Sequence, residues 1–227
     1  MSAAAPTSPE AGPVTVLFLG DSFVAGVGDP TGLGWTTRLV AEARAAGTDL
    51  TAYPLGIRRN TSTDVLARWE RETTARLPRA GRAGLVVSFG VNDATDGDDG
   101  GPRVAPDETV AHLRTLLTGA ASAGLDVLVV GPPPIADERV NARVADVDAR
   151  LRAEAAAHGV TAVEVLAPLL ADEAWTTQVR DGGDGAHPGA EGYAALAALV
   201  RPAWRSWLAG LVVPHAPPTR PARPGRP

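Results

Sequence analysis

The chain has 227 residues, 44% of them hydrophobic, which suffices for one sizeable core in a single domain. It contains no cysteine, excluding a disulfide framework, thiol catalysis and a cysteine-ligated zinc site, and no lysine, excluding a P-loop and a lysine Schiff base. The net charge is −5 and no basic face stands out, so nucleic acid is not an expected partner.

In chain order, residues 1–11 are small, polar and proline-bearing, and are expected to form a disordered tail. They lack the basic start and apolar core of a signal peptide, which points to a cytoplasmic protein. The first strand is expected at Val14–Leu19; it is too short to span a bilayer, so no stable membrane insertion is expected. It runs into Gly20-Asp21-Ser22 within the stretch VTVLFLGDSFVAGVGD. A helical pattern over 35–46 leads to a strand at Leu50–Tyr53 that ends in YPLGIRRNTS. A second helix, 63–77, precedes the strand Leu85–Phe89, which ends in SFGVNDATDGDDGG. Helix 107–123, strand Val127–Val130 ending in GPPPIAD, helix 138–157 and strand Ala162–Val165 follow. The loop RDGGDGAHPG then leads into a last helix, 189–211, which Pro188 is expected to start. From Pro214 onward proline, arginine and alanine dominate, a second expected disordered tail over 214–227. The single folded body is thus 12–213, without internal repeats. Strands alternating with helices at this spacing mean an α/β fold, a parallel sheet covered on both faces.

In such sheets ligands bind beyond the carboxyl ends of the strands. Three of those ends carry groups suited to acyl transfer: the Ser22 hydroxyl, the Asn92 amide, and Asp184 three residues before His187. A serine needs a base to take its proton, and the base needs a third group to fix its tautomer. Each part alone has an ordinary explanation: Ser22 as a helix cap, Asn92-Asp93 as a turn, Asp184 to His187 as a glycine-rich loop. Their joint occurrence favours a site. The sequence lacks Gly-x-Ser-x-Gly, Gly-x-Gly-x-x-Gly and His-Glu-x-x-His, which leaves the nucleophile elbow, dinucleotide-binding and zincin motifs unmatched. The acidic loop DATDGDDGG lacks EF-hand spacing. His112, His158 and His215 are placed in a helix, at a helix end and in the tail, and the five tryptophans in the core or on helix faces, although Trp35 and Trp175 could border the site.

At these residues the chain resembles the SGNH hydrolases, the GDSL esterases and lipases. Gly20-Asp21-Ser22 matches the family's first block, Gly90-Val91-Asn92-Asp93 its third, and Asp184 to Pro188 its fifth, over residues 14 to about 200. The resemblance implies a flavodoxin-like three-layer α/β/α sandwich with a five-stranded parallel sheet ordered 2-1-3-4-5, placing Ser22 and Asn92 across the switch point. It further implies a triad of Ser22, His187 and Asp184 hydrolysing a small-molecule ester through an acyl-enzyme, with no metal or organic cofactor. The oxyanion hole would comprise the Ser22 N–H and the Asn92 amide. The second block departs: Pro54 stands where the family has asparagine, and Arg59 where it has a glycine whose N–H completes the hole. Arg59 also has an N–H and is expected to serve, its guanidinium narrowing the cleft or meeting an anionic substrate. The lack of a long apolar lid favours short or medium acyl chains. Two alternatives remain open, an acyltransferase using the same triad and a ligand-binding domain without turnover. These features do not fix an oligomeric state.

Overall fold

The computed structural model describes residues 13–78, 81–182 and 184–212; both expected tails lie outside them. Its centre is a five-stranded parallel sheet in the order β2-β1-β3-β4-β5, the order expected above. The strands are β1 (Val14–Gly20), β2 (Leu50–Gly56), β3 (Arg82–Ser88), β4 (Asp126–Val130) and β5 (Thr161–Val163). The helices are α1 (Gly34–Ala45), α2 (Ser62–Thr74), α3 (Val91–Ala94), α4 (Pro106–Ser122), α5 (Glu138–Ala157), α6 (Leu166–Leu170), α7 (Glu173–Asp181) and α8 (Ala190–Val212).

All seven residues of β1 are buried, as its unbroken apolar sequence requires of a strand covered on both faces. Side chains alternate across it. Val14, Val16 and Phe18 join a core with Trp35 and Leu39 of α1 and Leu196, Val200 and Trp204 of α8. Leu17 and Leu19 join a second core with Val65 and Trp69 of α2, Leu113 and Leu117 of α4, and Val147 and Leu151 of α5. Phe18 sits between Trp35 and Trp204, ring centroids 5.9 and 5.5 Å away.

Three differences from the sequence expectations have physical causes. β2 continues through Pro54 to Gly56 because it is an edge strand, where a residue without an N–H is tolerated. α8 starts at Ala190 rather than on Pro188, its first turn closed by the Tyr193 N–H donating to the Gly189 carbonyl. β5 stops at Val163, two residues early, and Val165 instead leads into α6.

Candidate active site

β1 ends where the chain must turn sharply. A Cβ on Gly20 would lie 2.1 Å from the Ser88 carbonyl oxygen, so only glycine lets β1 run this close to β3. Beyond it the Asp21 and Ser22 carbonyls accept from the Ala25 and Val27 N–H groups, leaving the Ser22 side chain aimed at the loop before α8. There Asp184 Oδ1 accepts from the N–H groups of Ala186 at 3.0 Å and His187 at 2.9 Å, curling the turn so that Oδ2 meets His187 Nδ1 at 2.6 Å. The other ring nitrogen, Nε2, lies 2.7 Å from Ser22 Oγ. A carboxylate on Nδ1 fixes the proton there and leaves Nε2 as the acceptor facing the hydroxyl. Burial pushes the Asp184 carboxyl upward, but the His187 N–H, the imidazole and the Ala186 N–H outweigh it and hold its pKa at about 2.

The imidazole is wedged in place. Phe23 lies 4.9 Å from it between ring centroids, Trp175 stacks on Phe23, and Trp175 Nε1 donates to the Pro134 carbonyl at 3.0 Å. Gly28, at φ +90°, passes so close that a Cβ would lie 2.8 Å from both His187 Cβ and the Pro188 carbonyl. Asp29 anchors this loop, accepting from the Thr31 and Gly34 N–H groups and from Arg38, which also reaches the Ala190 carbonyl. Trp35 and Trp175 are each 1% exposed and belong to the core rather than to the border of the site.

On the other side, Asn92 Nδ2 donates to Asp21 Oδ2 at 3.2 Å and to the Asn60 carbonyl at 3.0 Å, joining the ends of β1, β2 and β3. Burial drives the Asp21 carboxyl up to a pKa of about 7, with the nearby Asp93 adding to the effect. Asp93 is itself pushed upward by burial. It accepts from the Ser62 N–H and hydroxyl and, at 3.0 Å, from the Thr109 hydroxyl, which ties together the starts of α2 and α4. His112 Nδ1 meets the Ser62 hydroxyl at 2.8 Å, so it belongs to this framework and stands apart from Ser22, His187 and Asp184.

Arg59 is the one non-glycine residue with positive φ, +68°, among the described residues. An L-residue pays roughly 1–2 kcal/mol for that conformation, so the position does call for the geometry that glycine adopts freely. Among the described residues neither the Arg59 N–H nor the Ser22 N–H has an acceptor. Arg103 donates to the Arg59 carbonyl at 3.3 Å, and the exposed Arg58 donates to Asp184 Oδ2 at 3.2 Å. Asp96 in the acidic loop is engaged by Arg139 and Arg143, whose bonds hold its carboxyl well below the usual range. Among the described residues no three His, Asp or Glu side chains gather to hold a metal ion.

Sequence reasoning missed two arginines, Arg58 and Arg68. Arg58 carried no signal beyond its place in the loop after β2. Arg68 did carry one, because it falls on the buried Val65–Trp69–Thr73 stripe of α2, where a charged residue calls for a reason.

With this geometry in hand, a family model described as GDSL-like lipase/acylhydrolase matches residues 18–195. The chain belongs to that family. It is accordingly an ester-bond hydrolase of the GDSL type. No curated protein matches it. Among solved structures, a lipase/acylhydrolase from Enterococcus faecalis superposes with a TM-score of 0.70 at 22% identity, covering 89% of this chain and 99% of its own. LAE5, an alpha/beta hydrolase enzyme from the metagenome of Lake Arreo, gives 0.69 at 21%, covering 87% and 97%. Axe2, an acetylxylan esterase from Geobacillus stearothermophilus, gives 0.68 at 21%, covering 85% and 95%. At these identities the likeness is one of fold. No helix among the described residues of this GDSL-type hydrolase is long and apolar enough to cross a membrane.

Proposed function

We propose that this GDSL-type hydrolase is a serine esterase acting on small-molecule esters of short or medium acyl chain, with Ser22 as nucleophile, His187 as general base and Asp184 holding the base. The observation that carries the proposal is the pair of short contacts, 2.7 Å from Ser22 Oγ to His187 Nε2 and 2.6 Å from His187 Nδ1 to Asp184. The same fold in the acetylxylan esterase supports it, since two catalytic mutants of that enzyme change an aspartate and a histidine three positions apart, the spacing of Asp184 and His187. For acyl length, the support is the lack of a long apolar lid segment in the sequence.

In the reaction His187 Nε2 takes the Ser22 proton as the oxygen attacks the ester carbonyl, and Asp184 stabilises the imidazolium that forms. The oxyanion is received by the backbone N–H groups of Ser22 and Arg59 and by the Asn92 amide, which trades its longer bond, 3.2 Å to Asp21, for the substrate oxygen. Each such donor is worth about 3–4 kcal/mol in the transition state. His187 then gives its proton to the departing alcohol, and water repeats the sequence on the acyl-enzyme. A p-nitrophenyl ester series from acetate upward, run beside Ser22→Ala, tests the proposal. Turnover of the short esters, lost by at least about a thousandfold in the variant with its circular dichroism unchanged, is the expected result. Equal silence of both proteins on every ester overturns it.

A further inference from the structure

Arg68 is 8% exposed, yet among the described residues no carboxylate is in ion-pair contact with it, Glu72 and Asp64 acting only at longer range, and Nη1 has no partner. Burying a guanidinium on these terms costs stability, and an aliphatic side chain on the same stripe of α2 would avoid that cost. What the side chain gains instead is two bonds into the site. Nη2 donates to the Gly20 carbonyl at 2.8 Å, two residues before Ser22, and Nε donates to Asn60 Oδ1 at 3.0 Å. Asn60 directly follows the left-handed Arg59. Its N–H donates to the Ile57 carbonyl, and its own carbonyl accepts from Asn92.

We infer that Arg68 is a positioning residue for the oxyanion loop, clamping the Asn60 side chain to the end of β1 and so holding Arg59 in the left-handed conformation that aims its N–H at the substrate. The inference rests on the esterase proposal and on Arg59 as an oxyanion donor. A strained residue persists only where its surroundings over-determine it, and here, beside the Arg103 bond to the Arg59 carbonyl, the fixing bonds converge on the neighbouring Asn60. Glycine at 59 would adopt the same φ without strain and so would need less to keep it there. The two positions are therefore coupled, and Arg68 matters because residue 59 is an arginine.

The test measures kcat and KM for p-nitrophenyl acetate, with melting temperatures, for wild type, Arg68→Met, Arg59→Gly and the double variant. Arg68→Met is expected to lower kcat by about 10- to 100-fold with KM changed less than about twofold, as a misplaced donor does. Adding Arg59→Gly to it is expected to restore kcat about tenfold or more. A residue that only supports the fold would lower the melting temperature without this recovery of kcat. Wild-type kcat in Arg68→Met, or no recovery in the double variant, overturns the inference. If Arg68→Met does not fold at assay temperature, Arg68→Lys is judged by the same criteria, and failure of both to fold assigns Arg68 to the fold and overturns the inference. Wild-type silence on every ester is a separate result, seen before any variant is compared, and removes the esterase proposal together with the inference built on it.

Discussion

Asp184 and Asp21 are both carboxylates beside Ser22, and their surroundings drive them in opposite directions. Asp184, with a pKa of about 2, stays ionised at any usable pH, and in the proposed mechanism its part is to hold the His187 tautomer. Asp184→Asn is expected to fold normally and to lose roughly 10⁴-fold in kcat with little change in KM, read from steady-state kinetics. Asp21 ionises near 3.8 when unfolded and about 7 when folded. Between those values the native state keeps a proton that the unfolded state has lost, so stability falls as pH rises through this window and levels off above it. Asp21→Asn stays neutral throughout. Its melting temperature is expected to exceed that of wild type at about pH 8, with the gap closing near pH 4. The grouping of Ser22, His187 and Asp184 was legible in the sequence because its members fall in short motifs at strand ends. The left-handed φ of Arg59 was not, since nothing in the letters RRN distinguishes a strained arginine from a relaxed one.

At the scale of elements, the loop from Ser22 to Leu33 buttresses His187 as well as carrying Ser22. Gly28→Ala adds a methyl that meets His187 Cβ and the Pro188 carbonyl at a backbone angle unsuited to alanine. The expected outcome is a folded protein with kcat down by about 10- to 100-fold, because an imidazole displaced by under an ångström no longer reaches Ser22 in line. The five strands and the five longer helices were readable from apolar periodicity, with ends shifted by up to three residues. α3, α6 and α7 escaped because helices of 4, 5 and 9 residues show too few turns for a period to emerge. β2 was cut short at Tyr53 because proline reads as a strand end until the edge position of the strand is known.

Across the whole molecule, one sheet serves both cores and carries every loop of the site. Phe18, with no exposed surface, is the point where this shared construction is most open to test. Phe18→Ala is expected to cost about 3–5 kcal/mol, measured by urea unfolding. Activity is expected to be lost no later than circular dichroism as urea is raised, since Ser22 and His187 are brought together only in the folded molecule. The site nevertheless depends unequally on the rest of the molecule. Asp184 and His187 belong to a single tight turn, so their pairing is made by four consecutive residues of chain, whereas Ser22 reaches His187 from 165 positions away. A sample strained by heat or crowded into a gel is therefore expected to lose nucleophile activation first. Its imidazole would still carry the strongly deshielded Nδ1 proton of a carboxylate-bound ring, so that signal would report a poised base in an enzyme already silent.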